Sequence, residues 1–206
     1  MDKDKDLYNP DWDEHGYIQV YTGDGKGKTT ASLGLAMRAL GRDWKVLLIM
    51  FTKGGNKYGE LNSFRNLSEK ISKNLTIYQA GTEHIVYSNN ITDEDRKIIV
   101  SGWEKAKQSI KNNDCHLLIL DELNIAISLG IIDVNEVVNV IKQKPDRMEI
   151  VITGRCADKK IIDTAHLVSR IEPVKHYWDI GVTARKGIEY WFFEVNKWLR
   201  IKLLCE

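Results

Sequence analysis

The sequence predicts an α/β domain: a mostly parallel sheet of about five or six strands wrapped by helices. Three observations carry this. Short, nearly continuous apolar runs recur along the chain, as strands covered on both faces require. Helical patterns separate them, and strands alternating with helices imply parallel pairing through right-handed crossovers. A glycine cluster, Gly23-Asp24-Gly25-Lys26-Gly27-Lys28-Thr29-Thr30, stands between the first strand and the first helix.

Taken in order, Tyr17 to Tyr21 is a β-prone run that stops at the glycine cluster. Thr29 to Leu40 then carries apolar residues at helical spacing, with Gly41 placed to end the helix. Lys45 to Phe51, His116 to Leu120 and Glu149 to Thr153 read as buried strands, and Leu75 to Gln79 and Leu167 to Ile171 as weaker ones. Thr92-Asp93-Glu94-Asp95 resembles a capping box and opens a helix through Trp103 to Ile110. A further helix starts at Asp133 and runs to Lys144, with Pro145 as its stop. Repeats, low-complexity tracts and linker-like stretches are absent, so one domain is expected over residues 16–190, with an N-terminal extension (1–15) and a C-terminal segment (191–206).

Composition narrows the class. The 206 residues are 43% hydrophobic and 29% charged, as in ordinary soluble globular proteins. Thirty Lys and Arg against 29 Asp and Glu leave a formal charge of +1, which argues against charge-driven nucleic-acid binding and allows a local basic cleft. No apolar run approaches the roughly 18–20 residues of a membrane span, and the first residues lack a signal peptide's apolar core. Cys115, Cys156 and Cys205 form no CxxC pair, so neither a disulfide framework nor a zinc knuckle is indicated. A cytoplasmic location is expected.

The glycine cluster carries the first chemistry. Between a strand and a helix, glycines let backbone N–H groups turn inward around phosphate oxygens, and the helix N-terminus adds partial positive charge. Lys28 is placed to reach phosphates and Thr29 to ligate a Mg²⁺ riding on a nucleotide. The pattern is that of a P-loop with one departure. The usual first glycine falls on Thr22, and Gly23 comes one residue late, so the loop is shorter than in ordinary kinases and ATPases. Usual γ-phosphoryl transfer does not follow from such a loop. Next, Asp121-Glu122 ends an apolar strand at the sheet edge where the loop opens, suited to holding Mg²⁺ or its waters. Gly154-Arg155 ends the following strand, where a guanidinium can face phosphate or ribose.

Together these segments resemble the P-loop type of ATP:corrinoid adenosyltransferase. The matching stretches are YTGDGKGKTT (Tyr21 to Thr30), FTKG (Phe51 to Gly54), LDELN (Leu120 to Asn124), TGR (Thr153 to Arg155), and EPVKH (Glu172 to His176) followed by GIEY (Gly187 to Tyr190). The shortened phosphate loop belongs to that resemblance. It implies that reduced Co(I) of a corrinoid attacks the 5′ carbon of ATP, leaving triphosphate and a cobalt–carbon bond. It further implies ATP binding by Gly23 to Thr30, Arg38 and Arg155, and catalytic work by Lys28, Thr29 and Glu122. Mg²⁺, with Mn²⁺ as a substitute, is expected on Thr29 and Glu122, with Asp121 the lesser candidate. A homodimer and an electron donor such as a flavoprotein are expected partners.

Relatives commonly carry Gly-Phe-Thr-Trp ahead of the long middle helix, where the aromatics press on the corrin. Here His84-Ile85-Val86-Tyr87 stands in those positions, so Ile85 and Tyr87 are the expected corrinoid contacts, with altered ligand displacement or corrinoid preference. His84 is expected to face solvent. Beyond Tyr190, Trp191 to Leu204 reads as an amphipathic helix for the chain's own core, a second subunit or a membrane surface. Two other functions stay open at this point: a P-loop ATPase or small-molecule kinase, and a non-catalytic carrier of ATP or corrinoid.

Overall fold

A computed structural model describes residues 15–188 apart from 57, 85 and 184. The N-terminal extension up to residue 14, Ile85, Tyr190 and the segment 191–206 with Cys205 lie outside the described residues.

Among the described residues six strands form one sheet: β1 (Ile18–Thr22), β2 (Val46–Phe51), β3 (Leu75–Ala80), β4 (Leu117–Asp121), β5 (Glu149–Thr153) and β6 (Leu167–Arg170). All pair in parallel, in the order β3-β2-β4-β5-β1-β6. The connecting helices are α1 (Lys28–Leu40), α2 (Gly59–Arg65), α3 (Glu69–Ser72), α4 (Asp93–Asn112), α5 (Leu123–Ser128), α6 (Val134–Lys142) and α7 (Lys159–Thr164), and a 3₁₀ turn spans Tyr177–Ile180.

The period-two alternation of the strands divides the core between the two faces of the sheet. In β2, Val46, Leu48 and Met50 pack with Ala36, Ala39 and Leu40 of α1 and with Leu61 and Phe64 of α2. Leu47, Ile49 and Phe51 of the same strand pack on the opposite face with Ile99, Trp103 and Ala106 of α4, a cluster that extends to α5, α6 and α7. Every residue of β2 and β4 is buried, which is why both runs are continuously apolar up to their last residues. β6, at one edge, is exposed throughout.

Helix α4 opens as expected. Thr92 Oγ1 accepts from the Asp95 backbone N–H at 3.1 Å, and Asp95 Oδ2 accepts from the Thr92 backbone N–H at 2.9 Å, a reciprocal capping box. Asp133 caps α6 by accepting from the backbone N–H groups of Asn135 and Glu136. That helix stops at Lys142, two residues before the expected end. Helices α2, α3, α5 and α7 were not foreseen, because elements this short show no readable hydrophobic period. Cys115 is a buried free thiol.

An all-parallel sheet brings the carboxyl ends of its strands to one edge. The loops after β1, β2, β4 and β5 therefore open together, and the candidate residues are found there.

Candidate active site

The phosphate loop runs from the end of β1 to the start of α1. It lies against the chain just beyond β6: Ile171 accepts from the Gly25 backbone N–H at 2.7 Å. A Cβ on Gly23 or Gly25 would come within 2.5 or 2.8 Å of Ile171, so only glycine allows this approach. No side chain caps the start of α1, which leaves its first-turn N–H groups for a ligand. The Lys28 side chain folds back on the loop, donating to the carbonyls of Gly23 and Gly25 at 2.7 and 2.8 Å. Burial lowers its pKa; Glu122 and Asp24 pull it back upward, while Arg155 and Lys53 add to the lowering. Thr30 follows in the first turn of α1. Lys26 reaches outward to the backbone carbonyl of Ile188 at 3.0 Å.

Asp121, fully buried at the end of β4, is the hub. Its Oδ1 accepts from Thr29 Oγ1 at 2.9 Å and from Thr153 Oγ1 at 2.7 Å, and its Oδ2 accepts from Lys53 Nζ at 2.5 Å. Lys53 Nζ also donates to Thr29 Oγ1 at 3.1 Å. The Thr29 hydroxyl is thus paired with Asp121 and not with Glu122. The reason is the turn that follows: Glu122 takes a left-handed backbone (φ 63) at the start of α5, which redirects its side chain toward Gly154. Glu122 N donates to Thr153 Oγ1 at 3.0 Å. Burial raises the Glu122 carboxyl's pKa, an effect that Lys53, Lys28 and Arg155 partly oppose. Arg155 pairs with Asp24 across the loop mouth, Nη1 to Oδ1 at 3.3 Å.

Asp24, Lys28, Thr29, Asp121, Glu122 and Arg155 are therefore brought together. Arg38 is not. It is exposed in the last turn of α1, about 15 Å along the axis from Lys28 at about 1.5 Å per residue. Tyr87 is buried in the segment between β3 and α4, its backbone N–H bonded to Asn90 Oδ1 at 2.6 Å. His84 is half-exposed, as expected, yet both ring nitrogens are engaged: Nδ1 with Thr82 Oγ1 at 3.0 Å and Nε2 with Asp95 Oδ2 at 3.1 Å.

The sequence places Lys53, Asn124 and Thr153 within the matching stretches without assigning them a role, and does not single out Tyr58. Tyr58, at the start of α2, lies within electrostatic reach of Lys53, and burial pushes its hydroxyl up to about 12. Asn124 Nδ2 donates to the Gly154 carbonyl at 3.2 Å, while its buried Oδ1 accepts from none of the described residues. FTKG and LDELN were the available signals, since both place polar residues at the end of an apolar strand.

A family model described as ATP:corrinoid adenosyltransferase BtuR/CobO/CobP matches residues 14–190. The chain is 35% identical over 178 residues to the corrinoid adenosyltransferase of Escherichia coli strain K12, covering 86% of this chain and 87% of that one. It is 34% identical to the corrinoid adenosyltransferase of Pseudomonas aeruginosa, covering 86% and 85%, and 33% identical to the corrinoid adenosyltransferase CobA of Salmonella typhimurium, covering 86% and 87%. In fold alone it is similar to the flagellar accessory protein FlaH from Methanocaldococcus jannaschii, with a TM-score of 0.53 at 15% identity over 76% of this chain and 71% of that one. The KaiC-like protein PH0186 from Pyrococcus horikoshii OT3 gives 0.50 at 15% identity over 85% and 76%.

Proposed function

The chain belongs to the ATP:corrinoid adenosyltransferase family, and on that premise we propose that it transfers the 5′-deoxyadenosyl group of ATP to the reduced cobalt of a corrinoid. The Co(I) electron pair forms the bond to C5′, the C5′–O bond breaks, and triphosphate leaves with that bond's electrons. Co(I) is itself the nucleophile, so the protein has two tasks: alignment of ATP with the cobalt, and stabilisation of charge on the departing triphosphate.

The observation that carries this is the Thr29–Asp121 pair at the base of a glycine loop whose helix start has no side-chain cap. The loop N–H groups bind phosphate oxygens, and Lys28 exchanges its loop carbonyls for them. Arg155, tied to Asp24, sets the mouth of the loop. The donors fit a hard divalent cation, because Thr29, Glu122 and Asp121 all offer oxygen. Among the described residues no cluster of three His, Cys, Asp or Glu can hold an ion, so Mg²⁺ or Mn²⁺ would complete its shell with triphosphate oxygens and water. Such an ion would supply charge stabilisation as triphosphate departs.

Tyr87 contributes corrinoid-contacting bulk, and Ile85, outside the described residues, is the second candidate contact. Electrons come from an outside donor such as a flavoprotein, and the working unit is a cytoplasmic homodimer. No helix among the described residues is long and apolar enough to cross a membrane.

The test is an anaerobic reaction with ATP, Mg²⁺ and chemically reduced Co(I) cobalamin, following the cobalt spectrum and the phosphate product. Light-sensitive adenosylcobalamin with triphosphate is expected. ADP without a cobalt–carbon bond would replace the transferase with an ATPase or kinase.

A further inference from the structure

Lys53 is almost fully buried, yet its ammonium sits among charged and polar groups and not on the apolar core. Its Nζ lies 2.5 Å from Asp121 Oδ2 and 3.1 Å from Thr29 Oγ1. The neighbouring cations Lys28 and Arg155 are engaged elsewhere, and Lys26 reaches outward to Ile188. Lys28 is on the carbonyls of Gly23 and Gly25, and Arg155 is on Asp24. Lys53 is therefore the group that neutralises Asp121 here.

The main chain is built to hold it. Thr52 just before it adopts a left-handed backbone (φ 58), which is strained for a β-branched residue and is kept only where surrounding contacts over-determine it. The Thr52 backbone N–H donates to the Ala80 carbonyl at 3.0 Å. The loops after β2 and β3 then cross with backbone on backbone: a Cβ on Gly81 would lie 2.2 Å from Lys53 N, and one on Gly54 would lie 2.2 Å from the Gly81 carbonyl oxygen. The main chain at Lys53 is thus held in place, and its side chain reaches Asp121 from a fixed point.

A divalent ion bound to oxygen needs ligands at about 2.0–2.1 Å. An ion held by Thr29 and Asp121 would compete with Lys53 Nζ for the same side-chain oxygens, and two cations in one low-dielectric site repel strongly. Given the metal–triphosphate site proposed above, we propose that Lys53 is a resident counter-cation that keeps free divalent metal out of the Thr29–Asp121 pair and gives way to metal carried on ATP. Metal and nucleotide then load together, because the triphosphate brings the negative charge that Lys53 needs once Asp121 is taken. Lys53 acts here as a positioning residue: it holds Thr29 and Asp121 in register before ATP arrives.

The experiment titrates the full-length protein with Mn²⁺ and reads free Mn²⁺ by its electron paramagnetic resonance signal, with and without ATP. Lys53→Met and Lys53→Gln remove the charge, the second keeping a hydrogen-bond donor for Asp121 in case the first fails to fold. Both are expected to bind Mn²⁺ without nucleotide at least tenfold more tightly than the natural chain. Lys53→Arg, which keeps the charge, restores exclusion. A purely structural lysine would leave these affinities alone. Unchanged affinity for free Mn²⁺ in Lys53→Met or Lys53→Gln, with Mn·ATP still bound, overturns the inference for Lys53 only. Failure of the natural chain to bind Mn²⁺ even with ATP overturns the metal site itself, and the role of Lys53 falls with it.

Discussion

On the phosphate side, side chains from the ends of β2, β4 and β5 and from the start of α1 meet around Asp121, each fixed by a strand or helix end. On the other side, the candidate corrinoid contacts sit on the segment between β3 and α4, and its visible anchor is Asp95. That buried carboxylate accepts from Thr82 Oγ1 at 2.7 Å, from Thr92 through its N–H and hydroxyl, and lies against His84 Nε2. One half is preorganised by strand and helix ends of the sheet, while the other is a loop held at its start by the Gly81 backbone crossing and at its end by the α4 cap. Electrostatic stabilisation of a leaving group gains most from a rigid site. A surface that must admit a bulky planar substrate tolerates an anchored loop.

This contrast can be broken by substitution, beginning with the largest effect. Lys28→Ala is expected to lower kcat/KM for ATP by about 100-fold or more, the scale of losing one charge-stabilising donor, at an unchanged KM for corrinoid. A loss below tenfold in the anaerobic assay would mean that the loop amides do the work without Lys28.

Asp95→Ala comes next. It removes the α4 cap and leaves buried donors unmatched, at a cost of about 2 kcal/mol, read by urea denaturation. Its KM effect is expected on the corrinoid and not on ATP; a matching rise for ATP would show that the two halves are coupled. The same residue sets an acid limit. Burial would raise the Asp95 pKa, but hydrogen bonds from Thr82 and Thr92, together with His84, lower it on balance. A lowered folded-state pKa contributes stability above the unfolded value of about 3.9, lost as pH falls through the folded one. Asp95→Asn should therefore flatten the decline in stability below about pH 4.

Tyr87→Ala sharpens the comparison within one half. Its rate with chemically prepared Co(I) is expected to stay within about threefold, about 0.65 kcal/mol in barrier, whereas adenosylation from Co(II) with a reductant falls about tenfold. Equal rates from Co(II) in Tyr87→Ala and the natural chain would end any role in ligand displacement. The smallest effect belongs to Arg38→Ala, with KM for ATP within about twofold because the side chain stands about 15 Å along α1 from Lys28. A tenfold rise would show that Arg38 reaches a nucleotide held by a second subunit.

Much of this was legible beforehand because its causes are local. Apolar runs placed all six strands within a residue or so of their observed ends, and Thr92 with Asp95 announced α4. Glycines beside Lys28 marked the phosphate loop, because a chain that must turn around an anion needs residues without a Cβ. Asp24 and Arg155 were named separately, and the fold joins them in one ion pair.

By itself, then, the sequence determined the α/β class, the glycine loop with Lys28 and Thr29, and the acidic end of β4, each written in a few adjacent residues. Only the tertiary structure decided that Asp121 and not Glu122 meets Thr29, that Lys53 fills the space beside them, and that Arg38 stands away from the loop. The partners of Asp121 lie 92, 68 and 32 residues from it along the chain. No local pattern links such positions. The strand order β2-β4-β5, with α1 packed across it, makes them neighbours, and that order comes from burying both faces of one sheet.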